Sequence, residues 1–234
     1  MTEIIPAIIP KSFEDLENKL SLMSGVVSMV QIDILDGKFT SDGSWPYLRT
    51  PDPDFVKIIK EEEGFPFWED LDFEVDLMVL NPEASIQEWI SAGAKRVIVH
   101  YESFPSKEKA LTFARSFSEQ FGKNGPFVAT ELGFALNIDT DIGVLEEIVE
   151  YIDFIQCMGI AVIGRQGEPF DERVLQKISG IRSKYPDVII SIDGGVNLDS
   201  AQGLIEAGAS RLVAGSAIFG SDDIVGTIEE LENL

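Results

Sequence analysis

Histidine, cysteine and positive charge are all scarce in this chain of 234 residues, and each shortage removes a class of chemistry. With His100 as its one histidine, the chain cannot build a zinc site from several imidazoles, so any metal would be held by oxygen. With Cys157 as its one cysteine, it has no internal disulfide. Lys and Arg number 18 against 41 for Asp and Glu, a formal charge of -23 that repels nucleic-acid backbones and anionic lipid surfaces. Neither nucleic acid nor a membrane is therefore an expected partner. No apolar run approaches the roughly 20 residues needed to cross a bilayer. Residues 1–10 carry neither a basic stretch nor a small-residue cleavage site, so a cytoplasmic protein is expected. No G-x-G-x-x-G follows the first apolar run, and no nucleotide cofactor is expected.

What is present is regular. Apolar, β-branched runs recur at residues 4–9, 26–34, 73–79, 96–100, 128–136, 154–158, 188–192 and 211–215, and read as strands buried on both faces. Between them lie amphipathic stretches with polar starts and glycine ends: 12–24 before Gly25, 85–92 before Gly93, and 198–207 before Gly208. About eight such alternations in one chain predict a single (β/α)8 barrel over residues 1–234, with a doubly wound open sheet as the other option. The longest irregular stretches, 35–53 and 159–169, each follow a strand, where a barrel builds its ligand-binding face.

Asp33, Asp76 and Asp193 stand in or at the end of three different strands. A lone Asp there serves equally as a cap or loop anchor. Three from separate strands of one barrel would converge on its axis, although a buried carboxylate is costly without a partner. Gly194-Gly195 and Gly215-Ser216 place backbone amides after neighbouring strands, beside helix starts, an arrangement suited to a phosphate group; tight turns that need glycine are the plainer alternative.

Together these segments resemble the ribulose-phosphate 3-epimerases, (β/α)8 barrels that bind ribulose phosphate. The likeness is carried by Pro6-Ala7-Ile8-Ile9, by Gln31-Ile32-Asp33-Ile34-Leu35-Asp36-Gly37-Lys38-Phe39, and by Asp76-Leu77-Met78-Val79-Leu80-Asn81-Pro82-Glu83. It continues through Val99-His100-Tyr101-Glu102, Gly133-Phe134-Ala135-Leu136-Asn137, Asp193-Gly194-Gly195-Val196-Asn197 and Ala214-Gly215-Ser216-Ala217-Ile218-Phe219. The resemblance implies interconversion of D-ribulose 5-phosphate and D-xylulose 5-phosphate through an enediolate, with Asp33 and Asp193 as the acid/base pair. It implies a phosphosugar substrate held by Gly194, Gly195, Gly215 and Ser216, apolar pocket walls from Met78 and Met158, and compatibility with a homo-oligomer. His100 corresponds to a family histidine that stands behind the site.

The departures matter as much. Two metal-binding histidines of the family are Gln31 and Asp76 here. The remaining set of Gln31, Asp33, Asp76 and Asp193 favours Mg2+ or Mn2+ over Zn2+ or Fe2+, unless one aspartate instead keeps a proton. A substrate-contacting serine is Ala7, and a pocket methionine is Leu35. The Gly-rich loop of the family is replaced by residues 159–170, where Gly164, Gln166 and Gly167 are candidates to wrap an anion and Arg165 either joins them or is simply solvated. These changes keep open a hexulose phosphate or other phosphosugar as substrate, and a phosphosugar-binding protein without catalysis. Trp45, in the long loop after the second strand, either closes the pocket or covers the barrel rim.

Overall fold

The computed structural model describes residues 2–122, 125, 126 and 130–234. Eight parallel strands close on themselves in chain order: β1 (Glu3–Ile8), β2 (Met29–Leu35), β3 (Asp72–Met78), β4 (Arg96–His100), β5 (Glu131–Leu136), β6 (Phe154–Met158), β7 (Ile189–Asp193) and β8 (Arg211–Ala214). The pairing of β8 with β1 closes the cylinder and excludes the open sheet. Around it run α1 (Phe13–Met23), α2 (Pro53–Ile59), α3 (Glu83–Ser91), α4 (Lys107–Gln120), α5 (Arg173–Lys184), α6 (Leu198–Ala207), α7 (Ser216–Phe219) and α8 (Ile224–Glu232). Among the described residues, no helix is long and apolar enough to cross a membrane.

Local chemistry accounts for most boundaries. The Ser12 hydroxyl accepts from the Asp15 amide at 3.1 Å and starts α1. Asn197 and Ser200 satisfy each other's backbone amides in a capping box at the head of α6. Gly25, Gly93 and Gly208 all adopt positive φ, as expected of glycines that end helices. The second strand begins at Met29 rather than at 26, because the Val26 and Val27 amides still bond back to Met23 at the end of α1. Residues 128 and 129 of the expected fifth strand lie outside the described residues, and β5 is seen from Glu131. One repeat breaks the pattern: β5 and β6 are joined by two short 3-10 segments, Ile142–Leu145 and Val149–Tyr151.

Two separate interiors result. Between strands and helices lies a continuous apolar layer that includes Leu16, Leu20, Trp89, Phe113 and Phe134. Each such side chain contributes about 1.5–3 kcal/mol on burial, so this shell carries the fold. Trp45 belongs to it, with its ring 5.5 Å from those of Phe13 and Phe55 and 6.2 Å from that of Trp89. It covers the barrel's outside and does not close the pocket. Inside the barrel, strand alternation stacks three levels. A charged floor holds Glu3, Glu74, Arg96, Glu131 and Arg211, and a middle level holds Ile5, Met29, Ile98, Phe154 and Val213. The top level, at the strands' C-terminal ends, holds Asp33, Asp76, His100, Gln156 and Asp193.

Candidate active site

Asp33 and Asp76 lie side by side in the β2–β3 register, and Asp193 ends β7 opposite Met158 and Val213. Because alternation points all three inward, one carboxylate oxygen from each falls within 4.8 Å of the others. All three are buried, and primary amides link them. Gln31 Nε2 donates to Asp33 Oδ1 at 2.7 Å and to Asp193 Oδ2 at 2.8 Å. Gln156 Nε2 donates to Asp76 Oδ2 at 3.0 Å and, more weakly, to Asp193 Oδ2 at 3.4 Å. His100 Nε2 lies 3.1 Å from Asp76 Oδ1, an ion-pair contact rather than an aligned hydrogen bond. Behind it, Glu102 faces His100 Nδ1 at 3.8 Å and accepts hydrogen bonds from the Asn137 amide and the Thr140 hydroxyl.

This crowding sets the protonation states. Burial, then the charges of Asp193 and Asp76, push the Asp33 carboxyl well above the usual carboxylate range, against the hydrogen bond from Gln31. Asp193 moves the same way, through burial and then Asp76. Burial works against a charged His100, but the neighbouring Asp76 carboxylate outweighs it and the ring's pKa rises. Two carboxylic groups that both resist ionisation, a short distance apart, favour one protonated and one ionised partner near neutrality.

The same residues fit a hard divalent cation. Gln31 Oε1, Gln156 Oε1 and Asp76 Oδ1 are buried acceptors without a hydrogen-bond partner, beside three carboxylates that could hold a metal ion. Among the described residues, no lysine or arginine is ion-paired with the triad; its one cationic contact is His100.

Above the triad is a cavity of about 40 Å³ lined by Ala7, Asp33, Met78, Met158, Gly164, Arg165, Gln166, Gly167, Asp193, Gly194, Gly195, Gly215 and Ser216. The fold thus brings the expected pocket residues to one place, with Gln31 and Asp76 buried in the wall beneath. Gly194 and Gly195 both take positive φ, 91° and 71°, and the Gly194 amide turns back toward the Asp193 carboxylate. A Cβ at Gly215 would stand 2.4 Å from Gln166 Nε2, the movable end of that side chain, and 3.1 Å from the Ala7 carbonyl. That amide donates to the Ala7 carbonyl at 3.0 Å, which pins the loop of residues 159–170 to β1. Of the two placements the sequence left open for Arg165, the structure shows the solvent-facing one. Its Nε reaches Asp42 Oδ2 at 2.7 Å and its Nη2 reaches Ser41 Oγ at 3.2 Å. Leu35 is buried, with its amide held by Ser44 Oγ at 2.9 Å. Cys157 is buried in the apolar layer, where burial pushes its thiol up to about 12.

Gln156 is the site residue that reading the sequence missed. Its signal was alternation: in Phe154-Ile155-Gln156-Cys157-Met158, the residue in phase with Met158 is polar, and a polar side chain inside a barrel needs a partner.

Comparison with known proteins adds three findings. The model of a family described as the Ribulose-phosphate 3 epimerase family matches residues 3–219. The chain is 29% identical to the ribulose-phosphate 3-epimerase of Bacillus subtilis (strain 168), over 99% of this chain and 98% of that protein. It is 27% identical to the chloroplastic ribulose-5-phosphate-3-epimerase of Arabidopsis thaliana, over 98% of this chain and 75% of that one. Among solved structures, a 3-hexulose-6-phosphate synthase superposes with a TM-score of 0.63 at 19% identity, covering 100% of this chain and 99% of that one. KGPDC from Streptococcus mutans superposes with a TM-score of 0.67 at 11% identity, covering 99% and 96%. At these identities the two structures share the fold with this chain.

Proposed function

This chain belongs to the ribulose-phosphate 3-epimerase family, and on that footing we propose that Asp33 and Asp193 are the acid/base pair with which it inverts C3 of a pentulose phosphate. The enzyme is an isomerase that interconverts D-ribulose 5-phosphate and D-xylulose 5-phosphate. The observation that carries the assignment is the convergence of the two carboxylates on one cavity, each bonded to the same Gln31 amide.

The chemistry follows from the two protonation states. The ionised aspartate removes the C3 proton, and the C–H electron pair moves into the C2–C3 bond as the C2 carbonyl oxygen takes up negative charge. The protonated aspartate then returns a proton to the opposite face of C3. In the reverse direction the roles exchange. One base and one acid must flank the planar enediolate, and each such transfer is worth about 10²–10⁴-fold in rate. A divalent cation, Mg2+ or Mn2+ by the all-oxygen donor set, would be held by Asp33, Asp76, Asp193 and Gln31, where it supplies positive charge beside the substrate's oxygens. Met78 and Met158 give the pocket apolar walls that keep water from the carbanionic carbon. The same reading assigns the phosphate to Gly194, Gly195, Gly215 and Ser216, which line the cavity together with Gly164, Gln166 and Gly167.

The test is solvent deuterium incorporation at C3 of ribulose 5-phosphate, with Mg2+, Mn2+, Zn2+ and Fe2+ each supplied. Asp33→Asn and Asp193→Asn should each lower kcat by at least about 10²-fold. Near-wild-type turnover in both variants removes the assignment. Substrate binding without label uptake by the wild type would make the protein a binder. A strong preference for a hexulose phosphate in a substrate panel would move the reaction to a different sugar.

A further inference from the structure

We propose that the side-chain amide of Gln31 is a two-position group controlling the cation site. With its N–H groups inward it ties Asp33 to Asp193, and with its carbonyl inward it completes an oxygen shell around a hard divalent cation. The inference rests on the proposed function only in treating Asp33 and Asp193 as the reacting pair.

Both hydrogens of Gln31 Nε2 are committed, one to each aspartate at 2.7 and 2.8 Å, while Oε1 is fully buried and has no hydrogen-bond partner. The amide has therefore been oriented for the carboxylates at its carbonyl's expense. Leaving a buried acceptor unmade is costly, so what the N–H side gains must exceed what the C=O side loses. Reversing the amide would break both hydrogen bonds and bring its oxygen against the ionised member of the pair, which is repulsive on its own. A cation lodged among Asp33, Asp76 and Asp193 inverts that preference, because it repels the N–H dipole and attracts the carbonyl. A rotation of about 180° at the amide exchanges the two states without moving the backbone, which is paired with Ala7 of β1 on one side and Glu74 of β3 on the other. An imidazole could not do this, since each of its nitrogens carries at most one hydrogen and the one facing the site could tie only one aspartate. Gln156 repeats the motif across the triad, with its N–H side on Asp76 and Asp193 and its carbonyl also orphaned.

The experiment uses the whole protein and no substrate. Chelator-treated wild type and Gln31→Leu are compared by thermal melting, by Mn2+ calorimetry, and by the side-chain NH2 signals of the 15N-labelled protein under Mg2+ titration. The Gln31 signal is identified by its loss in the variant. The stripped variant should melt lower by about 5 °C, since two buried carboxylates lose their tie. Its Mn2+ affinity should fall by about tenfold or more. In the wild type the Gln31 NH2 pair should move as Mg2+ saturates. Should Gln31→Leu fail to fold, Gln31→Glu keeps an oxygen and loses the donors: it should melt lower when stripped yet bind Mn2+ more tightly than wild type. The proposal is overturned by an unmoved NH2 pair at saturation, by unchanged Mn2+ affinity or unchanged stripped melting in Gln31→Leu, or by a wild type that binds neither ion. Loss of C3 exchange alongside a responsive amide would overturn the catalytic reading and leave this one standing.

Discussion

The barrel carries three acidic side chains at each end of its interior, and the two ends treat them oppositely. At the floor, Glu3, Glu74 and Glu131 are met by two guanidinium groups. Arg96 reaches Glu74 at 3.1 Å and both Glu3 and Glu131 at 3.2 Å, and Arg211 reaches Glu3 at 3.0 Å and Glu131 at 3.4 Å. Arg211 also lies 4.8 Å from the centre of the Phe154 ring, which forms the ceiling of the cluster. At the mouth, Asp33, Asp76 and Asp193 are met by the neutral amides of Gln31 and Gln156 and by a single imidazole. A floor that supplies its own countercharge has its carboxylates engaged by guanidinium groups. A mouth that orders its carboxylates with amides keeps negative charge available for a cation or a substrate proton, so function concentrates where compensation is least.

The strongest way to break this contrast is to remove one charge at each end. Asp193→Asn should lower kcat by at least about 10²-fold while leaving the melting temperature equal or higher, because it removes a buried carboxylate whose neighbours are carboxylates. Arg96→Leu should do the reverse. It strips three carboxylates of their shared partner, at a cost of about 3–5 kcal/mol, or about 10 °C in melting temperature, while turnover per folded molecule stays near wild type. Activity loss in Arg96→Leu, or stability loss in Asp193→Asn, would show that the division of labour is wrong.

A subtler comparison uses pH. Burial pushes Glu74 up to about 7, against the pull of the Arg96 guanidinium. Asp33 and Asp193 are raised as well, chiefly by burial. A carboxyl with a raised folded-state pKa takes up its proton more readily when folded, so its contribution is full below about 4.5 and is lost as pH climbs toward 7. The metal-free protein should therefore melt at progressively lower temperature as pH climbs from 4.5 through 7, with Glu74 setting that window. In Glu74→Gln that decline should shrink by on the order of 5 °C. An identical pH curve in the variant would mean that Glu74 stays ionised in its cage.

How much of this was legible beforehand depended on whether the signal was local. The strands, the capping glycines and the strand positions of Asp33 and of Asp193-Gly194-Gly195 are readable because each is written within a few residues. The floor cluster was not, since Glu3, Arg96, Glu131 and Arg211 come from β1, β4, β5 and β8 and meet only once register and closure are known. Gln156 was overlooked for the same reason: in sequence its neighbours are apolar, and its partners Asp76 and Asp193 are 80 and 37 residues away. The outward turn of Arg165 depended on where two loops meet, which periodicity does not encode.

That turn yields the smallest effect and the sharpest view of the mouth. The cavity above the triad is about 40 Å³, whereas sites that take small molecules run to about 300 Å³ or more. Substrate entry is therefore expected to part the loop of residues 159–170 from the loop after β2. Across that seam Arg165 grips Asp42 and Ser41, and Gly164 abuts Thr40. Both charged partners are about half exposed, 54% and 51%, so the pair contributes at most about 1 kcal/mol. Arg165→Ala should accordingly leave melting within about 3 °C of wild type. It should lower KM by up to about fivefold at low ionic strength, because a tie that must break for entry is gone, with kcat little changed, and the difference should fade in high salt. A hundredfold fall in kcat/KM would instead mean that the guanidinium swings inward to the phosphate when substrate binds, and that the charge missing from the mouth arrives with the closing loop.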